Sequence, residues 1–402
     1  MAYTIVQQPN NTWLPAYNEI VYQVSSSNYT QPNHKYIAQI KIDGSIVHTE
    51  KTIGHPSNGD GVFEISRLVN SYLSCYVLDQ DSTDGIIKAT GQYAQLIVVF
   101  GEEYGTTITQ YLTLATSTTK YIWYGGLTPR DQNEYDTADL VAKDVNSYIL
   151  STRPATMNIY QDQYDWMYFI NDNTIGDVDK IVITAYTPST SSVVEIGNDF
   201  NADKSVLIIP SGFNLNNVRG TFIDFGAQPI LPTGTTHYTI QLKKSTGAVM
   251  SQPYIRYVYD ECVRFDEFDL CWLNRWGGKD SFRCTMITDE SVESVKQTYK
   301  KSVYGMSAGS WTKDTNARAY NNYSTVSSDI WTLRTNFLTD DEAELFRDLF
   351  DSPVITLRDG TKQYEVNFIG STVFEKRRIE QENLIKFEIK VRFAESYQRQ
   401  RP

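Results

Sequence analysis

The 402-residue chain holds few residues suited to metal binding or covalent chemistry: four cysteines and four histidines. Cys75, Cys262, Cys271 and Cys284 form no C-x-x-C pair, and His34, His48, His55 and His237 lie far from them. That spacing argues against a tetrahedral zinc site. Four cysteines in so long a chain do not make a disulfide scaffold, so buried free thiols are expected. Long apolar runs are missing too, and no stretch approaches the roughly 18 residues of a membrane span. The start, MAYTIVQQPNNTW, has neither the charged nor the apolar region of a secretory signal. Synthesis in a cytoplasm is therefore expected. Positive charge is also scarce. The formal net charge of −12 argues against general binding to nucleic-acid phosphates, which requires Lys and Arg to displace counterions. The deficit is uneven: residues 1–258 carry 15 basic and 24 acidic side chains, and residues 259–402 carry 21 and 24. An acidic face is expected mostly on the N-terminal portion.

What the chain does have is aromatic surface: 28 Tyr, 17 Phe and 7 Trp. Tyr and Trp suit half-buried sheets and interfaces, where the ring is covered while its OH or NH keeps a partner. With 41% hydrophobic and 21% charged residues, a packed globular protein is expected, and its length points to several domains.

Period-two alternation dominates the first 258 residues. In Lys35–Asp43, Tyr36, Ala38, Ile40 and Ile42 share one face, and Asp43-Gly44 supplies a two-residue hairpin turn into Ser45–Lys51. Leu96–Phe100 and Ile108–Leu114 read as further strands. Phe63–Val77 fits either a short helix or a strand. Residues 1–120 are expected to form an antiparallel sandwich, and 121–155 an irregular connection on the surface. Strands at Tyr164–Ile170, Lys180–Thr187, Ser205–Ile209 and His237–Lys243 predict a second sandwich over 156–258. Residues 259–402 read differently. Phe268–Trp276 leads through Gly277-Gly278 into Ser281–Ile287, a hairpin. Thr339 with Glu342 makes a capping box for a helix over Asp340–Phe350, and Leu345, Phe346, Leu349 and Phe350 form its apolar stripe. Strands at Val354–Arg358, Gln363–Phe368 and Leu384–Phe393 complete an α+β domain. The fold class is thus mainly β: two antiparallel β-sandwiches followed by an α+β domain with one helix packed on a sheet.

Four patterns could carry chemistry. Gly305-Met306-Ser307-Ala308-Gly309 matches the G-x-S-x-G elbow, but the last histidine of the chain is His237, whereas that hydrolase fold needs a His after the Ser. The acids Asp260, Glu261, Asp266, Glu267 and Asp269 could hold a hard cation or supply a glycosidase pair, or simply form a solvated strand face. Asp162, Asp165 and Asp172 around Trp166 admit a sugar site or an ordinary aromatic strand edge. Glu375-Lys376-Arg377-Arg378 reads as a solvated hairpin tip or a phosphate contact. No P-loop, H-E-x-x-H or dinucleotide fingerprint is present. No catalytic residue, cofactor or metal ligand is assigned.

Three stretches carry a resemblance: TWLPAYNEIVYQVSSSNYTQPNHKYIAQIKIDG followed by GVFEISRLVNSYL, then LCWLNRWGGKDSF, then FLTDDEAELFRDLFDSPVITLRDG. Together they resemble tail ring and hub structural proteins of bacteriophages that infect Bacteroidetes hosts, the crAss-like group included. The resemblance implies a virion protein without enzymatic activity. It implies a homo-oligomeric ring that contacts other tail, portal or ring proteins, with DNA passing through its lumen unbound and no membrane contact. Within the Leu-Asn-Arg hairpin, Trp276, Arg275 and Asn274 are the candidates for inter-subunit contact, because Trp and Arg commonly anchor interfaces. A turn cluster inside one subunit is the alternative for these residues. For the whole chain, the alternatives are a tail-tip carbohydrate or receptor-binding module and a glycan-degrading tail enzyme.

Overall fold

A computed structural model describes residues 3–78, 82–219, 222–224, 229–259, 265–316, 319–360, 362–370 and 385–398. Strands take up 49% of the chain and helix 9%, so the fold is mainly β, built from several antiparallel sheets. The chain divides into two compact units, Met1–Asp260 with Leu273–Ser281, and Glu261–Trp272 with Phe282–Pro402.

The first unit contains two sandwiches. In the first, a sheet of Tyr3–Gln7, Val21–Ser26 and Gly61–Glu64 packs on a six-stranded sheet centred on Tyr93–Tyr104 and Lys35–Ile42. Tyr22, Phe63 and Phe100 meet between them, with ring centroids 5.6 and 5.9 Å apart. The Asp43-Gly44 turn is made as its residue types dictate, with both residues at positive φ (48° and 81°). The ambiguous segment after residue 61 resolves into a strand, Gly61–Glu64, then one helical turn, Ser66–Asn70. Its Phe63, Ile65 and Val69 enter the core.

The second sandwich pairs His237–Lys243 with Lys180–Tyr186 in a six-stranded sheet, over a smaller sheet of Trp166–Asn171, Ser205–Pro210 and Ile87–Lys88. Its core is aliphatic with a few aromatic rings, including Phe169, Ile181, Ile183, Leu207, Tyr238 and Ile240. A third cluster ties the sandwiches together. Trp13 and Trp123 from the first, Trp166, Ile170 and Ile208 from the second, and Leu140, Val141 and Leu150 from between are all buried in it. Residues 121–155 are therefore not a surface connection. They begin with the strand Lys120–Trp123 and run through this core, with a short helix, Pro129–Glu134, that the sequence reading missed.

In the second unit, the sheet order runs from the hairpin strands Lys279–Cys284 and Phe268–Leu273 through Ile355–Asp359, Lys362–Phe368, Glu388–Phe393 and Tyr320–Arg334 to Asp289–Lys300. The two hairpin strands straddle the division between the units. One helix, Asp340–Asp351, covers the sheet and buries Ala343, Leu345, Phe346 and Leu349. Its capping box forms: Thr339 Oγ1 accepts from the Glu342 amide (3.3 Å), and Glu342 Oε2 accepts from the Thr339 amide (3.0 Å). The cap is solvent-exposed, so Thr339→Ala should cost only about 1 kcal/mol in thermal melts. A loss above about 2 kcal/mol would mean that Thr339 has a packing role.

Candidate functional site

The hairpin tip Leu273–Ser281 is part of the first unit, and the backbone shows why its residue types are needed. Gly277 sits at φ +93°, where a Cβ would lie 1.9 Å from the Tyr124 carbonyl oxygen. A Cβ at Gly278 would lie 2.0 Å from the Leu150 carbonyl. Only glycine permits approaches this close. Trp123 Nε1 donates to the Trp276 carbonyl (2.9 Å), and the Gly126 amide donates to the Arg275 carbonyl (2.7 Å).

These contacts correct the interface candidates. Trp276 and Asn274 are each 2% exposed, and Trp276 packs edge-on against Tyr135 at 5.0 Å. Asn274 Nδ2 donates to the Leu150 carbonyl (3.0 Å) and to Asp280 Oδ2 (2.8 Å), while its Oδ1 accepts from the Gly278 amide (3.0 Å). Arg275 forms a two-pronged ion pair with Asp131 at 2.9 and 3.1 Å. Burial alone would raise the Asp131 carboxyl, but Arg275 and Thr128 hold it below the usual carboxylate range. Trp276 and Asn274 are used up inside the chain, and Arg275 is committed to an internal pair. They close a turn cluster within one subunit.

Beneath the hairpin lies a buried ionic network. Arg153, fully buried, donates from Nε to Asp280 Oδ1 (3.0 Å) and from Nη1 to Asp165. Ser211 and Ser281 hydroxyls donate to the two Asp165 oxygens, each at 2.6 Å, and Arg256 lies 4.0 Å away. Burial would raise the Asp165 carboxyl, yet Arg153 and Arg256 together hold it below the usual range. Two acids and two arginines thus neutralise each other in the interior.

Several of the candidate acids behave the same way, whereas Asp162 and Asp266 are exposed. Asp165 is inside this network and Trp166 is 2% exposed, so neither is offered to a sugar. Asp172 accepts from Trp13 Nε1 (2.9 Å) and pairs with Lys204. Asp269 and Glu267 both bind Arg283, at 2.6 and 2.8 Å. Asp260 and Glu261 lie outside the described residues, as does Glu375-Lys376-Arg377-Arg378. Among the described residues, no group of His, Cys, Asp and Glu is arranged to hold a metal ion. The G-x-S-x-G run is a hairpin turn: Tyr304–Ser307 pairs with Ser310–Lys313 through Ala308 and Gly309 at φ +52° and +81°. It is not a strand-to-helix elbow. Cys271 and Cys284 are buried free thiols, with burial pushing the Cys284 thiol up; Cys75 is half-buried, and Cys262 lies outside the described residues.

The surface that the sequence reading missed is in the second unit. Asp289–Lys300 pairs with Tyr320–Arg334 over twelve residue pairs, and every one of its own twelve residues is exposed. It ends the sheet, so its outer backbone edge has no strand partner among the described residues. Beyond Val326 and Ser327, which pair with Gln398 and Tyr397, no third strand accompanies the pair among the described residues. A two-stranded ribbon results, ending in the Tyr304–Lys313 hairpin. It exposes Val295, Tyr299, Met306, Trp311, Tyr320 and Tyr323. Trp311 is 70% and Met306 68% exposed, which leaves large apolar surface in water. Two-stranded hairpins are marginal alone in water, and an apolar unpaired edge invites another chain.

No family model matches the chain, and no curated protein does. Among solved structures, it is similar at 10% identity to a GH family 64 laminaripentaose-producing beta-1,3-glucanase from Paenibacillus barengoltzii. That alignment covers 70% of this chain and 64% of the glucanase chain, with a TM-score of 0.14, too low to carry an argument about fold or activity. Among the described residues, no helix is long and apolar enough to cross a membrane.

Proposed function

We propose that the chain is a virion structural protein of a bacteriophage tail, a homo-oligomeric ring or hub subunit that works by self-assembly. The observation that carries this reading is the ribbon Asp289–Arg334, which exposes aromatic and aliphatic side chains and a strand edge that no element covers among the described residues. A subunit that spent its life alone would be penalised for that surface by aggregation. A subunit of a closed ring hides it on its neighbour through a heterologous interface. The resemblance of the N-terminal, Leu-Asn-Arg and C-terminal stretches to tail proteins of Bacteroidetes-infecting phages points the same way. The chain's net charge of −12 suits a lumen through which DNA passes without adhering. Neighbouring tail, portal or ring proteins are its remaining partners in this reading.

Of the acids that would serve a sugar-binding or glycan-cleaving tail module, Asp165, Asp172, Glu267 and Asp269 are engaged in internal pairing, while Asp162 and Asp266 are exposed. That pairing favours the structural reading over the enzymatic one. The test is quantitative mass spectrometry of purified virions, together with an assay of the purified chain on host capsule polysaccharide. Many copies per particle and no turnover are expected. Absence from the particle, or sustained hydrolysis of the polysaccharide, would overturn the reading.

A further inference from the structure

The ribbon differs from the rest of the chain in charge as well as exposure. Residues 296–323 carry five basic side chains and one acidic, a net of +4 inside a chain of −12. Lys296, Lys300, Lys301 and Lys313 are all exposed, flanking the exposed rings of Tyr304 and Trp311. A basic, apolar tip of this kind calls for an acidic, aromatic acceptor.

The same unit contains one. Strands of its sheet line an open groove of about 1120 Å³. Its floor is a set of half-buried rings: Trp331 meets Phe393 at 5.1 Å, and Phe393 meets Tyr364 at 5.1 Å, both edge-on. Four acids, Glu290, Asp329, Glu365 and Glu395, stand around it, and among the described residues no basic residue lines it. Among the described residues, none of the four forms an ion pair with Lys or Arg. Asp329 accepts only a hydroxyl, from Tyr397 at 3.2 Å.

The ribbon cannot reach this groove on its own chain. Glu290 stands at the ribbon's base and Lys300 ten residues further out. At roughly 3.3 Å per residue, they lie about 30 Å apart. We infer that the ribbon tip of one copy, residues 296–323, docks into the acidic aromatic groove of a second copy of this chain. One face meets a different face, so the contact repeats head to tail and closes into a ring when the rotation allows. Matched charge selects the second copy over nucleic acid or an anionic lipid surface. The basic tip and the acidic groove are both carried by every copy, so a second copy supplies the complement of each.

The inference rests on the ring-subunit reading, and charge reversal separates the two. The full chain is compared with Lys300→Glu/Lys301→Glu/Lys313→Glu and with Glu365→Lys/Glu395→Lys by sedimentation velocity over a concentration series at low salt. Thermal melts check that each variant stays folded, as their exposed positions lead one to expect. Each variant alone should self-associate roughly tenfold or more weakly than the natural chain. Mixing the two should restore assembly, because each then offers the other a matched tip and groove. If the natural chain associates and either variant alone matches it, the tip-to-groove contact is wrong while the ring reading stands. If the natural chain sediments as a monomer throughout, the ring reading fails along with it. Loss of binding to duplex DNA or to phosphatidylserine vesicles in the lysine variant, with self-association unchanged, would overturn the inference in favour of that ligand.

Discussion

Arg153→Ala is expected to lower the stability of the first unit by roughly 3–5 kcal/mol, because it leaves buried carboxylates without their main counter-charge. Asp165 and Asp280 both depend on this guanidinium, and only Arg256, 4.0 Å from Asp165, would remain nearby. The exposed pair Arg130–Glu134 is the control. Arg130→Ala should cost less than about 1 kcal/mol, since water screens the pair. Urea unfolding followed by tryptophan fluorescence distinguishes the two. Equal, small losses for both would show that the network is not a structural hub. The same network sets an acid limit. The Asp165 carboxyl is held below its ordinary value, so its contribution is fully present above the unfolded value of about 3.9. That contribution is lost as pH falls through the lower, folded value.

Phe346→Ala should cost the second unit roughly 3–5 kcal/mol, the range for removing a fully buried aromatic ring from a core that cannot collapse around the gap. Phe346 is 0% exposed, and its ring meets Phe282 at 4.8 Å, Phe387 at 5.2 Å and Trp272 at 5.8 Å. It is the point where helix and sheet lock together. Phe387, at 9% exposure, is nearer the rim, and Phe387→Ala should fall at the lower end of that range. Chemical denaturation of the full chain measures both. A cost for Phe346→Ala no larger than that for Thr339→Ala would show that the stripe is not core.

Much of this fold was legible because one face of each strand meets a core. Lys35–Ile42 and His237–Lys243 alternate for that reason, and the Thr339–Glu342 box announces its helix through local chemistry alone. The ribbon gave no such signal. Asp289–Lys300 is exposed on both faces, so nothing selects a period of two, and Val292 and Val295 fall three apart. The internal placement of Asn274, Arg275 and Trp276 was illegible for a different reason. Their residue types suit an interface, and they do pack against a distant surface, but that surface belongs to the same chain. Trp123 and Asp131, their partners, lie more than 140 residues earlier, and no local pattern connects them. Residues 121–155 looked like a linker because their polar run hides single buried anchors such as Leu140, Val141 and Leu150.

The measurement that bears most directly on assembly through the exposed ribbon is an electron cryomicroscopy image of the purified tail in which this subunit is located. Residues 296–323 of each copy should be covered by an adjacent copy within a closed ring, with the ribbon tip against Trp331, Tyr364 and Phe393. A ring whose subunits touch elsewhere while the ribbon stands free in solvent would contradict that assembly, as would a single copy per particle.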